Sequence, residues 1–231
     1  MKKISLYLFV AASVGEILSE IFPIPLLHQL CKPLIILTLA VYYFHHSEYR
    51  SAVVWLALLF SFSGDVLLMF ESKQSNFFLF GLAAFFMAHI FYILAYRQHQ
   101  DPSMENSLKG IQKIRFSFPI VLAGTGLIVI LYPSLGPLKF PVVVYALILI
   151  IMVLNSIFRF GRTNNQSFWL VFAGSALFML SDSLLAINKF FKPVPGAGLW
   201  IMSTYIFAQF LIVNGLVHHI KNQSPSHEQK P

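Results

Sequence analysis

Eight apolar runs of roughly 17–25 residues, separated by short polar breaks, constrain this chain more than any other feature. In a bilayer no water can satisfy a peptide group, so an apolar segment of that length is expected to close its hydrogen bonds internally as a helix. The runs are approximately Lys3–Phe22, Leu26–Phe44, Ala52–Phe70, Phe77–Tyr96, Phe116–Tyr132, Leu138–Phe158, Ser167–Phe190 and Leu199–His219. The breaks carry Pro, Gly, Asn or charge, and the longest, Arg97–Arg115, is polar and basic. Only 11% of the 231 residues are charged, against about a quarter in a soluble domain. The expected fold is therefore all-α, a polytopic bundle of eight transmembrane helices over residues 1–220. Residues 221–231 are polar and proline-containing, and read as a disordered tail. Lys2 and Lys3 ahead of an apolar run resemble a signal peptide, but the run continues through Glu16 and Glu20 with no small-residue cleavage site. The first helix is expected to be retained. Cys31 is the only cysteine, which excludes a disulfide framework and a cysteine-based metal site.

Charge sets the expected orientation. With eight spans, eleven Lys and Arg fall on the side of the termini and five on the other. The positive-inside rule then puts both termini in the cytoplasm, as in a bacterial-type inner (plasma) membrane protein. The same asymmetry accounts for the net charge of +7, so no nucleic-acid partner is needed. Nothing in the chain specifies an oligomeric state.

Against this apolar background two segments stand out: Ser63-Gly64-Asp65-Val66-Leu67-Leu68 and Leu180-Ser181-Asp182-Ser183-Leu184-Leu185. Each holds one carboxylate after a small residue, with Leu-Leu at the same offset beyond it. A charge in hydrocarbon costs at least ~2.5 kcal/mol, so matching pairs call for a function. The segments are the third and seventh spans, equivalent places in two blocks of four. Each is followed by a span with a polar group on an apolar face, Ala88-His89 and Ala208-Gln209. This pattern reads as two parallel repeats, roughly residues 1–100 and 110–220. Asp65 and Asp182 lie 13 and 15 residues into their spans, depths of ~20 and ~22 Å, in one layer of the outer half of the bilayer.

Other polar residues are expected near that layer. Glu16 and Glu20 share one face of the first span, Lys32 opens the second, Ser61 is one turn before Asp65, and Lys189 lies two turns beyond Asp182. Each also has a plainer reading. The aspartates can bridge helices, the lysines can snorkel, and His89 can be a core histidine. Asn155 and Asn214 read as interhelical contacts, Gly64 and Gly174 as sites of close helix approach, and Trp and Tyr near span ends as interfacial anchors.

Two carboxylates in one site of low dielectric cannot both ionise easily, which suits one for acid and one for base work. Asp182 is the preferred acid, because Ser181 and Ser183 adjoin it. No Gly-x-Ser-x-Gly nucleophile motif is present. A zinc hydrolase is disfavoured, since only His89 is well placed within the spans while His28, His218 and His219 lie at ends. The Tyr-Asp and Gly-x-Gly-Asp signatures of intramembrane aspartyl proteases are not matched, with Ser181 and Phe62 at the deciding positions. A proton-coupled transporter is the rival class, because paired intramembrane acids suit it as well.

The Lys32-Pro33-Leu34 start of the second span, the Asp65 segment, the run Ala88-His89-Ile90-Phe91-Tyr92 and the run from Ser181 to Phe190 together resemble the YhhN family. The likeness covers essentially the whole chain in order and spacing. It implies an eight-span hydrolase that cleaves the vinyl ether bond of lysoplasmalogens, giving a fatty aldehyde and glycerophosphoethanolamine or glycerophosphocholine. It also implies that Asp65 and Asp182 are catalytic. Around them, Lys32, Glu16, His89, Lys189, Ser61 and Ser181 are the candidate substrate-binding residues, with Lys32 or Lys189 suited to the lipid phosphate. The expected chemistry requires no cofactor and no metal.

Overall fold

The computed structural model describes residues 2–71, 73–74, 76–102 and 107–219, so the tail expected over 221–231 lies outside the described residues. The described chain forms eight long helices: α1 (Lys2–Ile21), α2 (Pro25–His46), α3 (Ala52–Met69), α4 (Asn76–Gln98), α5 (Ile111–Leu131), α6 (Lys139–Ile157), α7 (Asn165–Phe190) and α8 (Ala197–Val217). All eight are long and apolar enough to cross a membrane, and the chain is an integral membrane protein. Observed boundaries fall within a few residues of the expected spans. The largest shift is at α5, which begins at Ile111 because the basic stretch before Phe116 continues the helix.

Local chemistry explains the ends. Pro25 opens α2, where its missing N–H is not needed, and the Ser51 hydroxyl accepts from Val53 N at 3.2 Å to cap α3. Gly196, at φ +65°, makes the left-handed turn into α8.

The helices pack chiefly as neighbouring pairs, α1 on α2, α3 on α4 and α7 on α8. Gly174 and Gly215 make the last contact close. A Cβ on Gly174 would stand 2.8 Å from the backbone N of Ile212, and one on Gly215 would stand 2.9 Å from the backbone N of Val171. Without a hydrophobic drive between helices in lipid, such backbone approach supplies the van der Waals contact. α5 sits at the edge, with only Gly124 and Leu131 buried, and Val129 is 72% exposed on its outer face. Outward Leu, Ile and Phe of this kind face lipid, which reverses the usual rule for exposed apolar residues.

Polar groups close the end of the bundle that carries the termini. Arg159, fully buried just beyond α6, donates through Nη2 to His99 O (2.9 Å) and Ser167 Oγ (2.7 Å). Burial pushes its guanidinium down to about 10, which leaves it charged at neutral pH. Tyr42 donates to Asn214 (2.8 Å) between α2 and α8, and Arg97 donates to Asn155 (3.1 Å) between α4 and α6. Both asparagines thus make the interhelical contacts expected of them. Not every tyrosine is an interfacial anchor, however. Tyr43, Tyr92 and Tyr96 are completely buried, because each hydroxyl finds a partner, Tyr43 in the α2–α3 connection and the other two inside the bundle.

Candidate active site

At the opposite end, α3, α6, α7 and α8 surround an open cavity, with α5 and the start of α4 forming its apolar wall. Its walls are largely Leu, Val, Ile and Phe, and its polar groups are few. Asp65 of α3 and Asp182 of α7 both line it, as do Lys32, Lys189, Ser181, Tyr145 and Tyr205. Asp65 is 2% exposed and Asp182 is partly buried.

Each carboxylate is held by a tyrosine from another helix. Tyr205 of α8 donates to Asp65 Oδ2 at 2.7 Å, and Tyr145 of α6 donates to Asp182 Oδ2 at 2.5 Å. The Asp65 side continues inward. Gln209 donates to the Tyr205 hydroxyl (3.1 Å), and Tyr92 donates to Gln209 Oε1 (2.5 Å). Every proton in that line points toward Asp65. In each aspartate one oxygen is thereby engaged, which leaves Oδ1 for whatever enters the cavity.

The remaining candidates divide. Lys32 faces the cavity with no ion pair among the described residues. Lys189 also faces it, but its ammonium pairs with Glu71 at 3.1 Å and lies 4.2 Å above the Phe78 ring. Ser181 lines the cavity while donating its proton to Ile201 O (3.0 Å), and Ser183 donates to Met179 O (2.6 Å). Neither serine donates to Asp182, so the hydrogen-bonding role expected of them there falls to Tyr145. The reason is geometric: a serine on a helix reaches its own preceding turn or the abutting backbone more easily than a neighbour's side chain.

Glu16, Ser61 and His89 do not line the cavity. Glu16 is fully buried beside His28, with Nδ1 to Oε1 2.9 Å. Ser61 is fully buried one turn inside Asp65. His89 is buried behind Tyr145, its ring 5.3 Å from that tyrosine and 4.8 Å from Phe178, and neither nitrogen has a hydrogen-bond partner among the described residues.

Sequence reasoning missed both tyrosines of the site. Tyr145 and Tyr205 stand well inside their spans, where an interfacial anchor has no use. A phenol at that depth needs an internal acceptor, and that is the signal that could have found them.

Comparison with known proteins now bears on this arrangement. The YhhN family model matches residues 27–216. The chain belongs to the YhhN family. Among the relatives of this family member, human lysoplasmalogenase TMEM86A is 30% identical over 165 residues, covering 69% of this chain and 62% of the human protein. Human lysoplasmalogenase TMEM86B is 32% identical over 156 residues, covering 68% and 59%. A lysoplasmalogenase of Mycobacterium tuberculosis is 30% identical over 165 residues, covering 70% and 59%. The chain thus spans about three fifths of the length of these relatives. No solved structure matches it.

Proposed function

We propose that this YhhN protein is a lysoplasmalogenase-like hydrolase that cleaves the vinyl ether bond of lysoplasmalogens by general acid–base catalysis between Asp65 and Asp182. The observation that carries this reading is the shared cavity: two carboxylates from separate helices, each oriented by a tyrosine, open onto one apolar space. Relatives named lysoplasmalogenase supply the substrate class.

Vinyl ether hydrolysis starts with slow protonation of the β-carbon, which gives an oxocarbenium ion. Water then adds to that ion with loss of a proton, and the hemiacetal collapses to a fatty aldehyde and the glycerol hydroxyl. Asp182 in its protonated form donates to the carbon. Asp65, within electrostatic reach of the Lys32 ammonium, stays ionised, stabilises the cation and takes the proton of the incoming water. Each role is worth roughly 10²–10⁴-fold. Tyr145 and Tyr205 fix the carboxylates so that neither has to turn during the reaction. Lys32 is free to meet the lipid phosphate, and the alkenyl chain lies along Leu127, Leu131 and Phe85. The products are then the aldehyde and glycerophosphoethanolamine or glycerophosphocholine.

We read both termini as cytoplasmic in an inner-membrane protein, with the cavity in the outer half of the bilayer, and the charge asymmetry supports that reading. The two four-helix blocks are read as parallel repeats, with Asp65 and Asp182 as their equivalent residues. Purified protein in detergent is expected to release aldehyde from lysoplasmenylethanolamine, and Asp65→Asn and Asp182→Asn are each expected to abolish release in a folded protein. Aldehyde release that persists in both variants would remove the dyad. Asp-dependent solute uptake into proteoliposomes by an enzymatically silent wild type would favour the transporter. Continuous α3 and α7 helices weigh against that alternative, because an unwound stretch is the usual transporter binding site.

A further inference from the structure

Beside the cavity but outside it, the turn Phe22–Ile24 folds α2 back along α1 and brings three donors together. Glu16 and Glu20 stand one turn apart on the same face of α1, and His28 comes from the first turn of α2. One ligand atom from each lies within 4.8 Å of the other two. His28 Nδ1 is 2.9 Å from Glu16 Oε1 and 3.4 Å from Glu20 Oε1. We propose that Glu16, Glu20 and His28 form a binding site for a divalent transition-metal ion, zinc or manganese.

An ion pair alone does not account for this cluster. Glu16 is 0% exposed, and among the described residues its Oε1 has no hydrogen bond despite the nearby imidazole nitrogen. The ring N–H therefore does not point along that 2.9 Å line, which leaves the buried Glu16 Oε1 in need of another partner. Donor separations of about 3.0–3.4 Å are those of atoms sharing one ion at bond lengths near 2.1 Å. A single imidazolium carries one positive charge against two adjacent carboxylates, of which Glu16 is wholly shielded from water. A dication balances both charges, with His28 as a neutral ligand.

The surroundings hold the donors in place. The Ser19 hydroxyl donates to the Glu16 backbone carbonyl at 2.7 Å and lies 3.5 Å from the other Glu16 carboxylate oxygen. Gly198 of α8 has no side chain, and a Cβ there would occupy the position of the Glu20 carboxylate. The carboxylate thus rests on the α8 backbone, which ties three helices to one point. Two carboxylates and one imidazole form a hard-to-borderline set, suited to zinc or manganese, and three protein donors leave a position for water. The ion would clamp α1 and α2 to α8 next to Lys32, without touching the reacting atoms. This inference goes beyond the proposed hydrolysis and stands without it.

Titration calorimetry of the full chain in detergent, purified without a histidine tag, against zinc chloride and manganese chloride tests the site. One ion of at least one metal per chain is expected, with the unfolding midpoint raised by about 5 °C at a hundredfold excess over Kd. Glu20→Gln and His28→Gln, both at partly exposed positions, are expected to weaken binding at least about tenfold while remaining folded. Asp65→Asn is expected to bind metal as the wild type does, so loss of aldehyde release and loss of metal are separable outcomes. No saturable binding of either ion, or equal binding by wild type and both variants, would overturn the site.

Discussion

Asp65 lies nearly sealed at the end of a hydrogen-bonded line that runs from Tyr92 through Gln209 and Tyr205, whereas Asp182 receives one hydroxyl, from Tyr145, and lies partly open. Their sequence settings are nearly the same, with a small residue before and Leu-Leu beyond. The difference comes from the neighbours. Asp65 faces α8, whose polar residues Tyr205 and Gln209 are spaced one turn apart. Asp182 faces α6, which offers one phenol. Similar motifs therefore acquire dissimilar surroundings, and dissimilar surroundings are what separates an acid from a base.

The largest effect expected is on turnover. Asp65→Asn and Asp182→Asn should each lower the rate of aldehyde release by roughly 10²–10⁴-fold with unfolding midpoints near that of the wild type. If one of the two keeps near-normal kcat, the pair does not act as a dyad. The tyrosines sharpen the contrast next. Tyr205→Phe should destabilise the protein by about 1–3 kcal/mol, because it strips the donor from a sealed carboxylate and the acceptor from the Gln209 amide. Tyr145→Phe should cost less stability, since the cavity can hydrate Asp182, and lower kcat more than it raises KM. Equal losses of stability in a thermal melt would erase the distinction. Gln209→Met interrupts the line one step further from the reaction and should cost about 1 kcal/mol, with a smaller fall in kcat than Tyr205→Phe. An unchanged melt would show that the inner part of the line contributes nothing.

A smaller effect belongs to the far end of the bundle. Burial lowers the tendency of His99 to protonate, below its ordinary value near 6.5, and its Nδ1 lies 2.8 Å from Ala95 O. Below about pH 6.5 the unfolded chain gains a proton that the folded chain resists. Stability should therefore fall as the pH drops below 6.5, level off once the buried ring also titrates, and fall less steeply in His99→Gln. A melt of the same steepness in both proteins between pH 7.5 and 5.5 would place the acid sensitivity elsewhere.

Much was legible in the chain for a simple reason: hydrocarbon leaves the backbone one local solution per apolar run, so span number and approximate limits follow from composition along the sequence. Asp65 and Asp182 were legible too, because a charge in such a run stands out against its cost. Tyr145, Tyr205 and the Glu16–Glu20–His28 cluster were not. A phenol is cheap enough in a membrane helix to pass as an anchor, and His28 lies across a turn from the carboxylates it meets.

By itself the sequence determined eight helices, an all-α membrane protein and the two acids at similar depth, since these depend on periodicity and transfer energy along one dimension. Which groups converge was decided only by tertiary packing. Gly174 and Gly215 bring α7 and α8 into backbone contact, the α8 tyrosine turns to Asp65 and the α6 tyrosine to Asp182, and Gly198 leaves room for Glu20. Helix rotation and helix partnership depend on contacts between residues far apart in the chain, and in lipid those contacts are made by shape and by hydrogen bonds rather than by hydrophobic pattern.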